Sequence, residues 1–313
     1  MLMQKKSSLK PLLIPLTAIT AGSFWISHKL FNVAFKRVNY VPETSKEKQK
    51  YADSYYEYVD WFHKVPSETW YLNDRSSENK VVATYIPAAQ STTKTVIISH
   101  GYKGNRETMA SYAKMFHDMG FNALVPDDRG HAESSGDYIT FGWLDRLDYL
   151  KWINRVINYV GTDSQIVLFG VSMGGATVEM VSGESLPSQV KALIADCGYA
   201  SIREELIYLL KQQYRLPKYP VEPLVSEINK RHSGFYLGSA SSVDQLAKND
   251  RPILFIHGGK DTYVPVKMAY ENYRATKAPK QLWIVKNATH AESFWYDPEA
   301  YRRRVQGFLK TYL

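Results

Sequence analysis

The sequence predicts an α/β fold, with a mostly parallel sheet carrying helices on both faces. Three observations lead there. Short apolar runs of strand length recur along the chain from residue 67 onward. Amphipathic stretches of helical period lie between them, and this alternation is the pattern of successive βαβ units. At the head of the series, ETWYLN (68–73) and VVATYI (81–86) flank the polar DRSSEN, which reads as a hairpin adding antiparallel strands at one edge.

The elements follow in order. The remaining buried-strand candidates are TVIIS (95–99), NALVP (122–126), QIVLF (165–169), KALIA (191–195), PILFIH (252–257) and LWIVK (282–286). The stretch 106–120 puts Met109, Tyr112, Met115 and Phe116 on one helical face. The stretch 143–160 similarly aligns Leu144, Leu147, Leu150, Ile153 and Ile157. Between Ala200 and Asp250 the strand rhythm stops, and SIREELIYLLKQQY and VEPLVSEINKRH read as two helices. An insertion after a strand end sits over the C-terminal edge of the sheet, where open α/β sheets bind ligands. Residues of about 200–250 are therefore expected to form a cap on a domain spanning 67–313.

What precedes that domain differs in composition. Residues 11–27, PLLIPLTAITAGSFWIS, carry no charge and follow a start that holds Lys5, Lys6 and Lys10. A basic start before a long apolar run is expected to be a membrane anchor or export signal over residues 1–35, extended past Lys29 into LFNVAF. A retained anchor is favoured, since TAG at 20–22 is a weak cleavage site. The domain would then lie at the cell membrane, outside the cytoplasm. The polar, tyrosine-rich residues 36–66 read as a connector or helical stalk.

The chain has 313 residues, 44% of them hydrophobic and 22% charged, as in a globular protein with a sizeable core. The formal net charge is +8 and the pI about 9.2. The basic residues are scattered, with no basic stripe and no nucleic-acid motif, so nucleic acid is not an expected partner. Cys197 is the one cysteine. It excludes an internal disulfide, reads as a small buried hydrophobe, and joins no metal-ligand cluster.

The chemistry concentrates in GVSMGG (170–175), between a strand and a helix. A nucleophile on a very tight strand-to-helix turn has an unfavourable backbone, and its neighbours must be small. Gly170 and Gly174 would permit the turn that exposes Ser172. The bare pattern arises by chance in roughly one chain in ten of this length, so its partners decide. They occur at later strand ends in the order Ser, acid, His. Asp261 follows PILFIHGGK and His290 follows LWIVKNAT. His290 would serve as general base and then acid, with Asp261 holding the imidazole; Asp196, also past a strand end, is the rival acid. The backbone N–H groups of Met173 and of Tyr102, in SHGYKGN, are the candidate oxyanion donors. His100 reads as shaping that loop. Asp128, Arg129 and His131, in PDDRGHAESSG, read as loop stabilisation through Asp–Arg pairing.

The motifs HGYKGN, DDRGHAESSG, GVSMGG, HGGKDTYVP and NATHAESF, in that order, resemble the α/β-hydrolase superfamily over roughly residues 67–313. The likeness is nearest to bacterial membrane-bound cell-surface hydrolases with a serine-aminopeptidase-like domain. The resemblance implies the α/β-hydrolase fold, with an eight-stranded sheet, the nucleophile turn after strand five, and Ser172, Asp261 and His290 as the triad. It favours Asp261 over Asp196. The expected function is a serine hydrolase acting on carboxylic esters through an acyl-enzyme, with no metal or organic cofactor. A peptidase, amidase or thioesterase on the same triad is the alternative, and a non-catalytic binding protein ranks below it. The expected substrate is a small acyl ester, and Tyr102, Phe235, Tyr236, Leu209 and Leu210 are candidates for its apolar acyl pocket.

Overall fold

The computed structural model describes residues 10–38, 50–73, 76 and 78–313. Its strands are β1 (Glu68–Leu72), β2 (Val81–Ile86), β3 (Lys94–Ser99), β4 (Asn122–Pro126), β5 (Gln165–Val171), β6 (Val190–Asp196), β7 (Ile253–Gly258) and β8 (Lys280–Val285). They form one sheet in the order β1-β2-β4-β3-β5-β6-β7-β8. β2 pairs antiparallel with β1 and β4, and every later pairing is parallel. The main helices are α1 (Lys10–Phe35), α2 (Ala52–Lys64), α3 (Ala110–Asp118), α4 (Asp145–Val160), α5 (Met173–Val181), α6 (Ile202–Tyr214), α7 (Val221–Ser233), α8 (Ser242–Leu246), α9 (Val266–Ala275), α10 (Ser293–Tyr296) and α11 (Pro298–Leu309). This is the α/β-hydrolase architecture.

Strand alternation sorts the core into two layers. Val96, Ile98, Val167 and Phe169 face α2, α3 and α11. Ile97, Ile166 and Leu168 face α4 and α5 on the other side. Deleting one of the large buried rings, such as Phe169, would cost about 3–5 kcal/mol. The strand order reverses about β3, whose neighbours are β4 and β5. Loops leaving the C-terminal ends of β3 and β5 therefore diverge and leave a crevice.

A third apolar cluster covers that crevice. It joins Phe31 and Phe35 of α1, Ile202 and Leu210 of α6, and Val221, Val225 and Ile228 of α7 to Met173 and Phe141. The 3₁₀ turn at Arg106–Met109 leads into α3, and Met109, Tyr112, Met115 and Phe116 are all buried.

Two expectations change. Among the described residues no helix is long and apolar enough to cross a membrane, and the LFNVAF part of the expected anchor lies on protein instead. Phe31 and Phe35 are fully buried; Phe31 stacks on His232 of α7 at 5.2 Å, and Phe35 packs on Phe141 at 4.9 Å. The chain beyond is tied down too: Ile139 N donates to Phe35 O, and the Arg37 guanidinium reaches the Ser134 carbonyl at 2.6 Å. One face of this half of α1, carrying Phe31 and Phe35, is covered by the cap and by Phe141, while Phe24, Trp25 and Val33 are exposed. The basic start, residues 1–9, and residues 39–49 of the connector lie outside the described residues.

The rest of the connector is mainly the helix α2, which packs on the domain. α2 buries Phe62 against α3 and sets Tyr58 on Phe294 and Trp295. Finally, α4 is rotated from its expected face: Tyr149, Trp152, Ile153 and Val156 are buried, while Leu147 is exposed. The rotation also buries Asp145 and Asp148, which hold Arg129 of the loop after β4 through its backbone N–H and its guanidinium respectively.

Candidate active site

Ser172 sits between β5 and α5 with φ 60°, a left-handed conformation in a non-glycine residue. Such backbone costs roughly 1–3 kcal/mol and persists only where the surroundings enforce it. The flanking glycines enforce it by closeness. A Cβ at Gly170 would fall 2.1 Å from Gly174 O, and one at Gly174 would fall 2.2 Å from Ser99 O. Ser172 N donates to Asp196 O at 2.8 Å, which ties the turn to the next strand.

Loops from β7 and β8 bring the partners. A Cβ at Gly258 would meet Thr289 O at 2.3 Å; without one, Gly259 N donates to Val285 O and Lys260 N to Ala288 O, lacing the two loops together. The outcome is a chain of hydrogen bonds: Ser172 Oγ lies 2.8 Å from His290 Nε2, and His290 Nδ1 lies 2.7 Å from Asp261 Oδ2. The carboxylate accepts a hydrogen bond from Nδ1–H, which leaves Nε2 free to accept from the hydroxyl.

Asp261 is saturated with donors. Its Oδ1 accepts from Tyr263 N and Val264 N, both at 2.9 Å. Its Oδ2 is shared with His257, whose Nε2 lies 3.3 Å away and also donates to Val264 O at 2.9 Å. Burial pushes this acid up, but hydrogen bonds from His257 and His290 outweigh it and hold the carboxyl at about 2. In the sequence, His257 is marked only by its place four residues before Asp261, near the end of a buried strand.

The rival acid faces elsewhere. Asp196 accepts from Tyr301 OH at 3.0 Å and Ser293 Oγ at 3.4 Å. Burial, partly offset by Tyr301, raises it to about 6. Cys197 is fully buried, and burial raises its thiol well above the ordinary range, so it is no thiolate. Its sulfur, the Asp261 carboxylate and the His290 ring lie within 4.8 Å of one another, an arrangement already accounted for by hydrogen bonding between the acid and the imidazole.

The loop after β3 stands beside the serine. A Cβ at Gly101 would lie 3.5 Å from Ser172 Cβ, and Tyr102 and Met173 line one cavity with Ser172. Tyr102 OH donates to the Ala34 carbonyl of α1 at 2.8 Å, and its ring stacks on Phe141 at 5.2 Å. His100 and His131 shape this region as neutral rings. His100 Nε2 accepts from Asp128 N and His131 Nε2 from Lys103 N, and burial lowers both. Arg129 pairs with Asp148, not with Asp128, whose carboxyl meets Tyr149 OH and Ser99 Oγ.

The cavity above Ser172 is small, ≈ 20 Å³, where a single water needs about 10–15 Å³. Of the expected pocket residues, Tyr102 and Leu209 line it. Leu210 and Phe235 are buried inside the cap, and Tyr236 is half-exposed beside Lys230. Phe141, Tyr199, Ile202, Glu205, Leu206, Tyr263 and Val264 complete the lining.

The chain matches the family described as "Serine aminopeptidase, S33" over residues 90–219. It is 33% identical to the uncharacterized protein YqkD of Bacillus subtilis over 225 residues, which is 72% of this chain and 74% of that protein. This chain belongs to the α/β-hydrolase superfamily. Among solved structures, the hydrolase resembles the esterase Pf2001 of Pyrococcus furiosus with a TM-score of 0.66 at 22% identity, over 89% of this chain and 99% of that one. It also resembles the acylaminoacyl peptidase of Pyrococcus horikoshii, with a TM-score of 0.57 at 18% identity, over 80% of this chain and 42% of that one. At these identities the two likenesses speak for the fold.

Proposed function

We propose that the protein hydrolyses carboxylic esters through an acyl-enzyme, with Ser172 as nucleophile, His290 as general base and acid, and Asp261 as its orienting carboxylate. The observation that carries this reading is the unbroken Ser172–His290–Asp261 hydrogen-bond chain at 2.8 and 2.7 Å. Ser172 Oγ attacks the ester carbon while its proton passes to His290 Nε2. The negative charge gathers on the carbonyl oxygen, toward the N–H groups of Tyr102 and Met173. His290 returns the proton to the departing alcohol, and a water activated by the same ring then releases the acid.

An ester with a compact acyl group is favoured over a peptide because the cavity at Ser172 is narrow and walled mainly by apolar side chains. An extended peptide needs an open groove with backbone hydrogen-bond partners.

The test uses the full-length chain, because α1 supplies part of the wall around Tyr102. A fluorophosphonate probe is applied to wild type and Ser172→Ala, and ester and amide substrates sharing one acyl group are compared. Wild type is expected to label and to turn over the ester, with both lost by roughly 10⁴–10⁶-fold in the variant. Folded wild type that neither labels nor hydrolyses any ester would overturn the proposal.

A further inference from the structure

Glu205, on the inward face of α6, is the one acidic side chain in the lining of the Ser172 cavity. Only 5% of the residue is exposed, and neither of its carboxyl oxygens has a hydrogen-bond partner among the described residues. Leaving a buried polar group unsatisfied is costly, and native structures keep few of them. The other buried carboxyls near the site are satisfied: Asp261 by four donors and Asp196 by two hydroxyls. An unpartnered buried carboxyl in the lining of this cavity is placed to recognise a polar group that enters it.

Two features fix the partner's chemistry. The first is position. Ser172 lines the cavity together with Tyr102 and Met173, so an acyl group esterified to its Oγ borders that cavity. The second is charge state. Burial, with the negative charge of Asp261 behind it, raises the Glu205 carboxyl to about 8, so at neutral pH it is mainly the uncharged acid. The other titratable groups around it are tyrosines: 102, 199 and 263 in the lining, and 208 on its own helix. An uncharged carboxyl offers one donor and one acceptor side by side, and a hydroxyl matches both. A cation would have to strip the proton and shed its own water among Phe141, Ile202, Leu206 and Leu209.

We propose that Glu205 is a specificity-determining residue whose carboxyl hydrogen-bonds a hydroxyl on the acyl chain, so that hydroxyacyl esters are preferred over plain acyl esters of equal length. The proposal rests on the ester-hydrolase reading above and names the substrate class of that same site.

The experiment measures kcat/KM for 4-nitrophenyl butanoate and its 2-hydroxy, 3-hydroxy and 3-amino derivatives with wild type, Glu205→Gln and Glu205→Leu. Wild type is expected to favour one hydroxy ester over the plain ester by about tenfold, the effect of one buried neutral hydrogen bond. Glu205→Leu is expected to reverse that ratio. Glu205→Gln, which keeps a donor, an acceptor and the size, is expected to retain most of it; should the Leu variant fail to fold, the wild-type and Gln ratios still decide. Equal ratios in wild type and Glu205→Leu would overturn the proposal, and so would a preference for the 3-amino ester that Glu205→Gln abolishes. Absence of hydrolysis of all four esters by wild type would instead overturn the ester-hydrolase reading itself.

Discussion

The sheet edge and the cap each bury a carboxyl within reach of Ser172, and they treat it in opposite ways. On the β7 loop, Asp261 meets two backbone N–H groups and two imidazoles and is held at about 2. On α6, Glu205 meets no donor among the described residues and is raised to about 8. Both are withdrawn from water, so burial alone does not set the charge of an acid; the count of donors does. The sheet edge is a rigid frame whose loops converge, and it can supply those donors. A helix laid across the crevice presents mainly side chains, and it offers Glu205 apolar neighbours. The consequences for stability have opposite signs. Asp261 contributes stability that is complete above its unfolded value near 3.8 and is lost as the pH falls through about 2. Glu205 binds a proton in the native state that the unfolded chain releases, so its contribution declines as the pH rises from about 4.5 to about 8.

The largest test of this contrast removes the charge on the saturated acid. Asp261→Asn is expected to lower kcat by about 10⁴-fold with little change in KM, because the imidazole loses the partner that fixes its tautomer. Steady-state kinetics on an activated ester reads this, and a loss below tenfold would break the contrast. A smaller effect is expected from the shared donor: His257→Phe should lower kcat/KM by roughly tenfold, the order of one hydrogen bond to a charged group, and His257→Gln, which keeps an N–H, should recover most of it. The smallest effect concerns stability. Glu205→Gln should melt about 3 °C or more above wild type at pH 9 and within a degree of it at pH 4.5. Thermal melts at the two pH values measure the difference, in which the other buried acids cancel; equal melting points at pH 9 would mean that Glu205 is no more proton-avid folded than unfolded.

Much of the site is legible in the chain because its logic is local. GVSMGG announces a turn that only glycines allow, and the structure places Gly174 O where a Gly170 side chain would have to go. Strands β3 to β7 are readable from apolar runs, since strands covered on both faces need little else. Other features misled for a physical reason. The leucines at 144, 147 and 150 mark a reasonable helical stripe, yet α4 turns Tyr149 and Trp152 inward because Asp145 and Asp148 are needed against Arg129. The hydroxyl of Tyr102 gives no hint in sequence that its acceptor is the Ala34 carbonyl of α1.

Order along the chain and backbone conformation are short-range properties, and they established the strand–helix alternation, the nucleophile turn and the sequence Ser172, Asp261, His290. Environment is long-range. An apolar helix near the start is covered equally well by lipid or by protein, and only the docking of Phe31 and Phe35 against the cap region chose protein for that stretch. A glutamate on an amphipathic helix is ordinarily solvated, and only the seating of α6 over Ser172 left Glu205 dry and unpartnered. Which donors surround a buried group is decided by residues far away in sequence, and that is the information folding adds.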